Sequence, residues 1–332
     1  MNKPIAVIIL NWNGAKLLQE FLPFVCSNTN SDIADVIVAD NGSTDNSIDI
    51  LNREFPDVKV LSFDKNYGFA EGYNKAIRET KYKYTVLLNS DVKPEKGWLE
   101  PLYNYCEKHH ETVACQPKIL SYNKPEEFEY AGAAGGFIDK LGYPFCRGRI
   151  FGTVEKDNGQ YDTEPIDIMW ATGAALFVRT DVYLAVGGLD SKFFAHMEEI
   201  DLCWRIHLAG YKIKAITNGI VYHLGGGSLP ASNPRKTYLN FRNNLLLLHK
   251  NLPQQEGKRL IFVRRIYDTL AFLMFVAKLD FKNAKAIINA HLDFKKMRKE
   301  YKLYPSENLL GILPGSNCNI IIDYYLKGRK TF

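Results

Sequence analysis

The sequence has few cysteines and no long apolar run, and both features exclude classes of protein. Its 332 residues include six cysteines, and no two of them form a Cys-x-x-Cys pair. Scattered cysteines are typical of reduced, mostly buried thiols and argue against a zinc ribbon or a disulfide framework. No apolar run reaches the roughly 20 residues that cross a bilayer. A hydrophobic content of 46 % with 13 % aromatic residues predicts a folded globular chain.

The sequence also shows neither the pattern of a signal peptide nor the glycine motif of a dinucleotide-binding fold. The first ten residues, MNKPIAVIIL, contain one lysine and then an apolar stretch that is short for a signal peptide, so we expect a cytoplasmic protein. The first predicted strand is followed by NWNG and not by Gly-x-Gly-x-x-Gly, which argues against a plain dinucleotide-binding fold. We expect no nucleic-acid partner.

The first third of the chain alternates between two patterns. Short β-branched and apolar runs predict strands at 5–10, 35–39, 58–62 and 84–88. Helical spacing of apolar residues predicts helices at 16–27, 43–55, 69–80 and 96–109, the second capped by Ser43 and Thr44 and the last preceded by Pro94. This order predicts an α/β fold with a mostly parallel sheet and helices on both faces.

The remainder of the chain is less regular. We expect a strand near 113–119, hairpins and loops over 121–166, an amphipathic helix within 193–211, a strand from 212 leading to 221–223, a helix near 236–250 and two helices over 258–302. We therefore predict a catalytic domain over residues 1–250 and a basic, helical C-terminal extension over 251–332.

Polar loops follow the carboxyl ends of the first four predicted strands, where open α/β sheets bind their ligands. Their candidate nucleotide-binding residues are Asn11 and Asn13, then Asp40, Asn41 and Ser43, then Asn66 and Gly68, and finally Asn89 and Ser90. Asp40 could accept the imide N–H of uracil or thymine, and Asp91 could hold a divalent metal. Each loop alone also fits ordinary turn and cap chemistry, but one shared nucleotide crevice accounts for all four.

Six motifs in order resemble a known family: VIILNWNG, VIVADNGSTDNS, NYGFAEGYN, LLNSD, TGAALFVR and EEIDLCWR. Together they look like family 2 glycosyltransferases of the GT-A fold, particularly the rhamnosyltransferase-like branch, over roughly residues 4 to 250. The resemblance implies an inverting transferase that uses a nucleotide-diphospho-sugar and a divalent metal, Mg²⁺ or Mn²⁺.

The resemblance also implies roles for individual residues. The family's Asp-x-Asp metal motif reads Asn89-Ser90-Asp91 here, which leaves Asp91 as the expected ligand. His223 matches a histidine that some relatives add, although a buried structural histidine explains it equally well. The catalytic base falls in the pair Glu198-Glu199, of which Glu199 is favoured. The expected acceptor side comprises Trp170, Thr172, Gly173, Glu198 and Asp201, although Asp201 could instead pair with Arg205 four residues on.

The C-terminal segment is strongly basic. Residues 256–332 contain 15 Lys and Arg against 7 Asp and Glu, and RLIFVRRIYDTLAFLMFVAKL mixes arginines with apolar residues. This pattern suits a helix lying on an anionic membrane face, where polyprenyl-linked acceptors reside. The alternative is a helix packed on its own domain or on a second subunit in a homodimer.

The expected function is transfer of a sugar from dTDP-rhamnose or a UDP-hexose to a glycan or lipid-linked acceptor in cell-surface polysaccharide synthesis. Two alternatives stay open at this point: a sugar-nucleotide pyrophosphorylase, and a nucleotide-sugar binding protein without catalytic activity. The protein is expected in the cytoplasm or at the inner face of the membrane.

Overall fold

A computed structural model describes residues 3–129, 132–225 and 233–332. Its strands are β1 (Ile5–Asn11), β2 (Ala34–Asp40), β3 (Lys59–Ser62), β4 (Tyr84–Leu88), β5 (Val92–Pro94), β6 (Thr112–Ser121), β7 (Gly136–Ile138), β8 (Pro144–Cys146), β9 (Arg149–Ile150), β10 (Thr153–Val154), β11 (Ile166–Asp167), β12 (Ala175–Arg179) and β13 (Lys212–His223). Its α-helices are α1 (Ala15–Asn28), α2 (Ser47–Glu54), α3 (Gly68–Glu79), α4 (Glu100–Lys108), α5 (Thr180–Ala185), α6 (Glu198–Leu208), α7 (Pro234–Asn251), α8 (Gln254–Ala277), α9 (Phe281–Met297) and α10 (Ile320–Tyr325).

The central sheet is mixed but mostly parallel in its first half. Its order is β11-β13-β6-β12-β4-β1-β2-β3, and β5 pairs with β13. β3, β2, β1 and β4 run parallel, as the alternating pattern predicted. β12 is antiparallel to both β4 and β6, whereas β13 runs parallel to β6. The loops after β1, β2, β3 and β4 therefore leave the same edge of the sheet.

Both faces of this sheet are covered. On β1, Ala6 and Ile8 belong to one buried apolar cluster, and Ile5, Val7 and Ile9 belong to the cluster on the opposite face. Successive side chains of a strand point to opposite faces, and a strand buried on both faces reads as a continuous apolar run. This is why IAVIIL carries no polar alternation.

Two predicted boundaries in the first third of the chain are wrong. Pro94 does not open a helix: Val92–Pro94 forms β5, which pairs with Val221–His223, and helix α4 begins only at Glu100. Ser43 and Thr44 do not cap the second helix, which begins at Ser47. Their backbone and hydroxyl groups instead bind the loop after β1, so the predicted capping residues are part of the crevice.

The segment between β6 and β12 forms a small second sheet, in the order β10-β9-β8-β7. An isolated bridge between Gly136 and Trp170 joins this sheet to the segment that leads into β12. The predicted hairpins and loops over 121–166 are confirmed in this form.

The C-terminal helices pack against the rest of the chain. Their buried residues Ile261, Phe294 and Ile320 belong to the same apolar cluster as Leu176 of β12. This packing does not show where one domain ends and another begins, so the predicted division at residue 250 stays a prediction. Among the described residues, no helix combines the length and the apolar character needed to cross a membrane.

Candidate active site

The loops after β1 and β2 are tied together by Asp40. Its carboxylate accepts hydrogen bonds from Asn11 Nδ2 at 2.9 Å, Ser43 Oγ at 2.6 Å and the Ser43 backbone N–H at 2.9 Å. Asn13 has a left-handed backbone (φ 51°), and its Oδ1 accepts from the Thr44 N–H at 2.7 Å. These predicted nucleotide-binding residues therefore lie together, with their side chains held in place before any ligand arrives.

A second amide joins the loops after β2 and β3. Asn41 Nδ2 donates to Asn66 Oδ1 and to the Gly68 carbonyl, both at 3.0 Å, and Asn41 Oδ1 accepts from the Tyr67 N–H at 2.9 Å. Asn66 Oδ1 also accepts from the Gly68 N–H at 2.7 Å. Asn41 is buried, and its side-chain amide forms hydrogen bonds to Asn66, Tyr67 and Gly68. Its observed role is therefore to fix the Gly68 turn at the start of α3.

The turn after β4 brings Asp91 against His223 at the end of β13. His223 Nε2 lies 3.1 Å from Asp91 Oδ1 and 3.3 Å from Asn89 Nδ2. Ser90 lies between Asn89 and Asp91 in this turn. Burial raises the pKa of the Asp91 carboxyl, but the hydrogen bond and charge of His223 outweigh burial and leave it below its usual value.

The Asp91–His223 pair fits a divalent cation. Asp91 Oδ1 and His223 Nε2 lie 3.1 Å apart, and Mn²⁺ accepts both kinds of ligand once the imidazolium of His223 has lost a proton. Among the described residues, no three His, Cys, Asp or Glu side chains converge as a full protein site. A cation bound here would take its other ligands from substrate phosphates and water, as Mg²⁺ commonly does.

Glu129 is a third member of this cluster that the sequence did not point to. Its Oε2 lies 3.5 Å from His223 Nδ1, and both side chains are buried. Burial lowers the pKa of His223, but the carboxylates of Asp91 and Glu129 raise it to about 10. Glu129 lies in the loop-rich 121–166 segment, where no motif marks it, and only the folded chain brings it to His223.

The segment before β12 lies beside α6, the helix that carries the predicted base. The Trp170 indole N–H donates to the Phe137 carbonyl at 2.8 Å, and the Thr172 N–H donates to Gln116 Oε1 at 3.0 Å. Gly173 is buried, and a Cβ built on it would lie 3.4 Å from Phe69 Cζ and 3.9 Å from Glu199 Cβ. Of the three predicted acceptor residues in this segment, Gly173 lies near Glu199, while the side chains of Trp170 and Thr172 are buried.

Helix α6 starts with two adjacent carboxylates in different surroundings. Glu198 is buried, and burial followed by the charge of Glu199 raises its pKa well above the usual value. Burial also raises the pKa of Glu199, to about 7, against the opposing effect of backbone N–H groups at the helix start. Oε2 of each residue has no hydrogen-bond partner among the described residues. Glu199 is partly exposed whereas Glu198 is buried, so Glu199 is the carboxylate of the pair that a substrate can reach.

The loop before α6 holds an unusual backbone. Phe194, His196 and Met197 have φ of 68°, 68° and 74°, a region that costs non-glycine residues free energy and clusters at functional sites. Asn243 of α7 holds this loop: its Nδ2 donates to the carbonyls of Phe193, Ala195 and His196 at 2.9, 2.8 and 2.7 Å. Sequence reasoning missed Asn243, since an asparagine within a predicted helix gives no signal of a partner 47 residues away.

Asp201 lies in an ion-pair network. Its carboxylate accepts from Arg205 Nη2 at 2.7 Å, as the four-residue spacing predicted, and from Lys250 Nζ at 2.9 Å and Asn251 Nδ2 at 2.8 Å. The side chain has no exposed surface. These contacts join α6 to α7, and they occupy the carboxylate that the sequence suggested for the acceptor side.

The strand pair β4–β12 links the surroundings of Asp91 to those of Glu199. The Asn89 N–H donates to the Ala174 carbonyl at 3.0 Å, and a Cβ built on Gly173, the residue before Ala174, would lie 3.9 Å from Glu199 Cβ. Burial raises the pKa of the Cys146 thiol, the charge of Arg149 lowers it, and the charges of Glu129 and Glu199 raise it. The turn that carries Asp91 and the side chain of Glu199 therefore both lie close to Gly173–Ala174.

Solved structures share this architecture. GalNAc-T7 with UDP, GalNAc and Mn²⁺ superposes with a TM-score of 0.59 at 16 % identity, covering 76 % of this chain and 49 % of that one. Staphylococcus aureus TarS 1-349 in complex with UDP-GlcNAc gives a TM-score of 0.57 at 16 % identity, covering 88 % and 80 %. Together with the observed sheet and helices, they confirm the predicted GT-A fold.

Sequence relatives agree with the fold. The N-acetylglucosaminyl-diphospho-decaprenol L-rhamnosyltransferase of Mycobacterium tuberculosis is 25 % identical over 243 residues, which cover 67 % of this chain and 76 % of the relative. The chondroitin synthase of Escherichia coli is 31 % identical over 240 residues, covering 66 % of this chain and 34 % of the relative. A family model, described as glycosyl transferase family 2, matches residues 6–172. Because that match spans half of the chain, the protein belongs to glycosyl transferase family 2, as the motifs predicted.

Proposed function

We propose that this glycosyltransferase moves a sugar from dTDP-rhamnose or a UDP-hexose to a hydroxyl group of a glycan or lipid-linked acceptor, with inversion at the anomeric carbon. The observation that carries the proposal is that Glu199 lies near Gly173, while Asn89, in the turn that carries Asp91 and meets His223, bonds to the adjacent Ala174. A base on one side and a phosphate-binding group on the other is the arrangement that in-line displacement requires.

Glu199 is the proposed general base. Its pKa of about 7 leaves it largely ionised just above neutral pH and still basic enough to take a proton from a hydroxyl. Within the part of the chain that the structure describes, Oε2 has no hydrogen-bond partner, so no such bond has to break before it accepts that proton.

Asp91 and His223 would hold the divalent metal, and Glu129 would orient His223 from its other ring nitrogen. A bound Mg²⁺ or Mn²⁺ would supply positive charge against the negative charge that grows on the departing nucleoside diphosphate. Asn89 and Ser90 lie in the same turn, and we propose that they contact the diphosphate.

The loops held by Asp40 and Asn41 form the proposed nucleoside site. Asp40 has its oxygens preset by Asn11 and Ser43 to accept an imide N–H, which uracil and thymine both carry. Asn13 and the Asn66–Gly68 turn border the same edge of the sheet. Because both bases present this group, we keep dTDP-rhamnose and UDP-hexoses as donors.

The acceptor side is proposed to include Gly173, Trp170 and Thr172, with Asp201 acting indirectly by fixing α6. The acceptor class has support from a relative whose name specifies a decaprenol-linked diphosphate sugar. This class of acceptor would place the enzyme at the membrane, in cell-surface polysaccharide synthesis. The pyrophosphorylase and binding-protein alternatives lose their support with membership of the transferase family.

Two single substitutions test the proposed base. Glu199→Gln keeps the shape of the side chain but cannot accept a proton, so turnover with dTDP-rhamnose or a UDP-hexose should fall about 10²–10⁴-fold while donor affinity stays the same. Glu198→Gln is the matched control and should retain turnover within about tenfold. Normal turnover in Glu199→Gln would remove Glu199 from this role. NMR of the product tests inversion, since retained anomeric configuration would contradict the mechanism.

A further inference from the structure

A basic pocket lies beneath the C-terminal helices, outside the site described above. Its volume is about 660 Å³, and it lies between α8, the end of α9 and the segment that follows α9. The charged residues that line it are Lys258, Arg265, Arg298, Lys299 and Lys302, with His249 beside them. None of the described residues that line it is a carboxylate. We call this cavity the basic pocket.

The charges of the basic pocket are not neutralised by the protein. Among the residues that the structure describes, none of these five cations forms a salt bridge, whereas many other lysines and arginines do. Burial and then the nearby charges of Arg298 and Lys258 lower the pKa of His249, as expected in a positive field. Concave clusters of one charge raise the local concentration of counter-ions, and guanidinium groups bind phosphate oxygens well.

An exposed apolar surface continues from the basic pocket. Phe262 lines the pocket, and Ile266, Leu270 and Leu273 follow it at spacings of four, four and three residues along α8. These side chains are 65 %, 54 %, 59 % and 53 % exposed. Residues spaced in this way share one helix face, so α8 presents an apolar stripe to solvent.

A shallow apolar groove adjoins the pocket on its other side. It lies between α8 and α9, has a volume of about 380 Å³ and is walled by Phe272, Ile287 and Leu292. Arg265 lines both the groove and the basic pocket. The basic pocket, which could bind several negatively charged oxygens, is therefore continuous with an apolar surface.

We infer that the basic pocket binds the phosphate-bearing headgroup of an anionic membrane lipid, with the apolar stripe and the groove in contact with its acyl chains. The inference rests on the proposed membrane contact and not on the transfer reaction. A free phosphate compound would need the cations but not the stripe. A second copy of the chain would bring the same positive charge to a symmetric interface, and like charges there repel.

Substitution of three exposed basic residues that line the basic pocket tests the inference. The full-length chain is mixed with vesicles of phosphatidylcholine alone or with phosphatidylglycerol added, and binding is measured by flotation. The pocket variant carries Lys258→Gln, Arg265→Gln and Lys302→Gln. The matched control carries Lys282→Gln, Lys285→Gln and Lys295→Gln, which remove the same charge from exposed positions of α9 outside the pocket. Circular dichroism checks that both variants fold.

The inference predicts that the pocket variant binds phosphatidylglycerol vesicles at least about tenfold more weakly than the control, since each basic residue near an anionic surface adds affinity. Leu270→Ser with Leu273→Ser should also weaken vesicle binding. Equal weakening in the pocket variant and the control would overturn the pocket, because it would show only diffuse charge attraction. Wild-type affinity for inorganic phosphate equal to that for the vesicles would overturn the lipid as its source.

Donor hydrolysis separates this inference from the proposed function. The pocket variant should hydrolyse the nucleotide-sugar donor at the wild-type rate, since none of its substitutions touches the active site. Lost vesicle binding with unchanged hydrolysis supports the headgroup site even if the assigned donor or base proves wrong. Unchanged vesicle binding in the pocket variant, with a change in oligomeric state by light scattering, would overturn the inference in favour of a protein interface.

Discussion

Asp201 of α6 accepts a hydrogen bond of 2.9 Å from Lys250 Nζ of α7, and it does so with no exposed surface of its own. Removing the lysine would leave the carboxylate short of one of its two positive partners. Loss of one partner of a buried ion pair typically costs about 3–5 kcal/mol. We therefore expect Lys250→Met to lower the free energy of unfolding by about 3 kcal/mol, measured by urea denaturation.

The control for this prediction is Lys327→Met. Lys327 pairs with Asp323 at 2.9 Å on the surface of the C-terminal helix, and its side chain is largely exposed. Exposed pairs contribute about 0–1 kcal/mol. A similar loss of stability in both variants would mean that the Asp201 network does not hold α6 in place.

Asn243 is expected to support turnover without touching the substrate. Asn243→Leu would leave the carbonyls of Ala195 and His196 without their donor, at a cost of about 1–3 kcal/mol, while Phe193 would still accept from Arg242 Nη2. The 194–197 backbone should then relax and shift Glu199, so turnover falls at least about tenfold while donor affinity, which depends on other loops, is kept. Steady-state kinetics and donor titration measure the two quantities.

Asn244→Leu provides the comparison for Asn243. Asn244 is also a buried amide on α7, but its Nδ2 donates to the Gly142 carbonyl, away from the strained loop. Its substitution should cost stability without lowering turnover of the folded protein. If both variants lose turnover equally, the effect comes from general destabilisation and not from the loop.

The strands could be predicted better than the helix starts and the site partners. YTVLL combines β-branched, aromatic and apolar residues, and β4 has the predicted bounds, 84–88. The residues after it look like a helix start, but Val92–Pro94 gains pairing with Val221–His223, a partner more than 120 residues away. Tertiary pairing overrides a local signal there.

Contacts between residues far apart in the sequence also limit how much of the site could be predicted. The Asp201–Arg205 pair was predictable because both residues lie on one helix. Glu129 beside His223, and Asn243 beneath the 194–197 loop, depend on chain crossings that leave no periodic trace. Asp40 and Asn41 were recognised as loop residues, but their hydrogen bonds to Ser43 and Asn66 follow only from the relative placement of three loops.

Metal binding is expected to depend on Asp91. With UDP or dTDP present, Mn²⁺ should raise the melting temperature of the wild-type protein, because ligands that bind only the folded state stabilise it by mass action. Asp91→Asn removes the charged oxygen beside His223 and should abolish most of the Mn²⁺-dependent part of the shift. Asp181→Asn, which removes an exposed carboxylate on α5, should keep it. An equal Mn²⁺-dependent shift in Asp91→Asn would contradict this assignment.

The Glu198–Glu199 pair should make stability depend on pH. Burial raises the pKa of Glu199 from an ordinary 4.5 to about 7, and burial with the charge of Glu199 raises that of Glu198 well above its ordinary value. Between the ordinary pKa and the raised one, the folded state holds more protons than the unfolded state. The free energy of unfolding therefore falls as pH rises from about 4.5 through 7.

Glu198→Gln carries no titrating group at position 198 and leaves Glu199 without a charged neighbour. Its stability relative to wild type should therefore be greater at pH 8 than at pH 5 by more than about 1 kcal/mol. Urea denaturation at the two pH values measures this difference, and Glu307→Gln, at an exposed position, should show none. A constant difference between Glu198→Gln and wild type would mean that the two carboxylates do not oppose folding in their charged form.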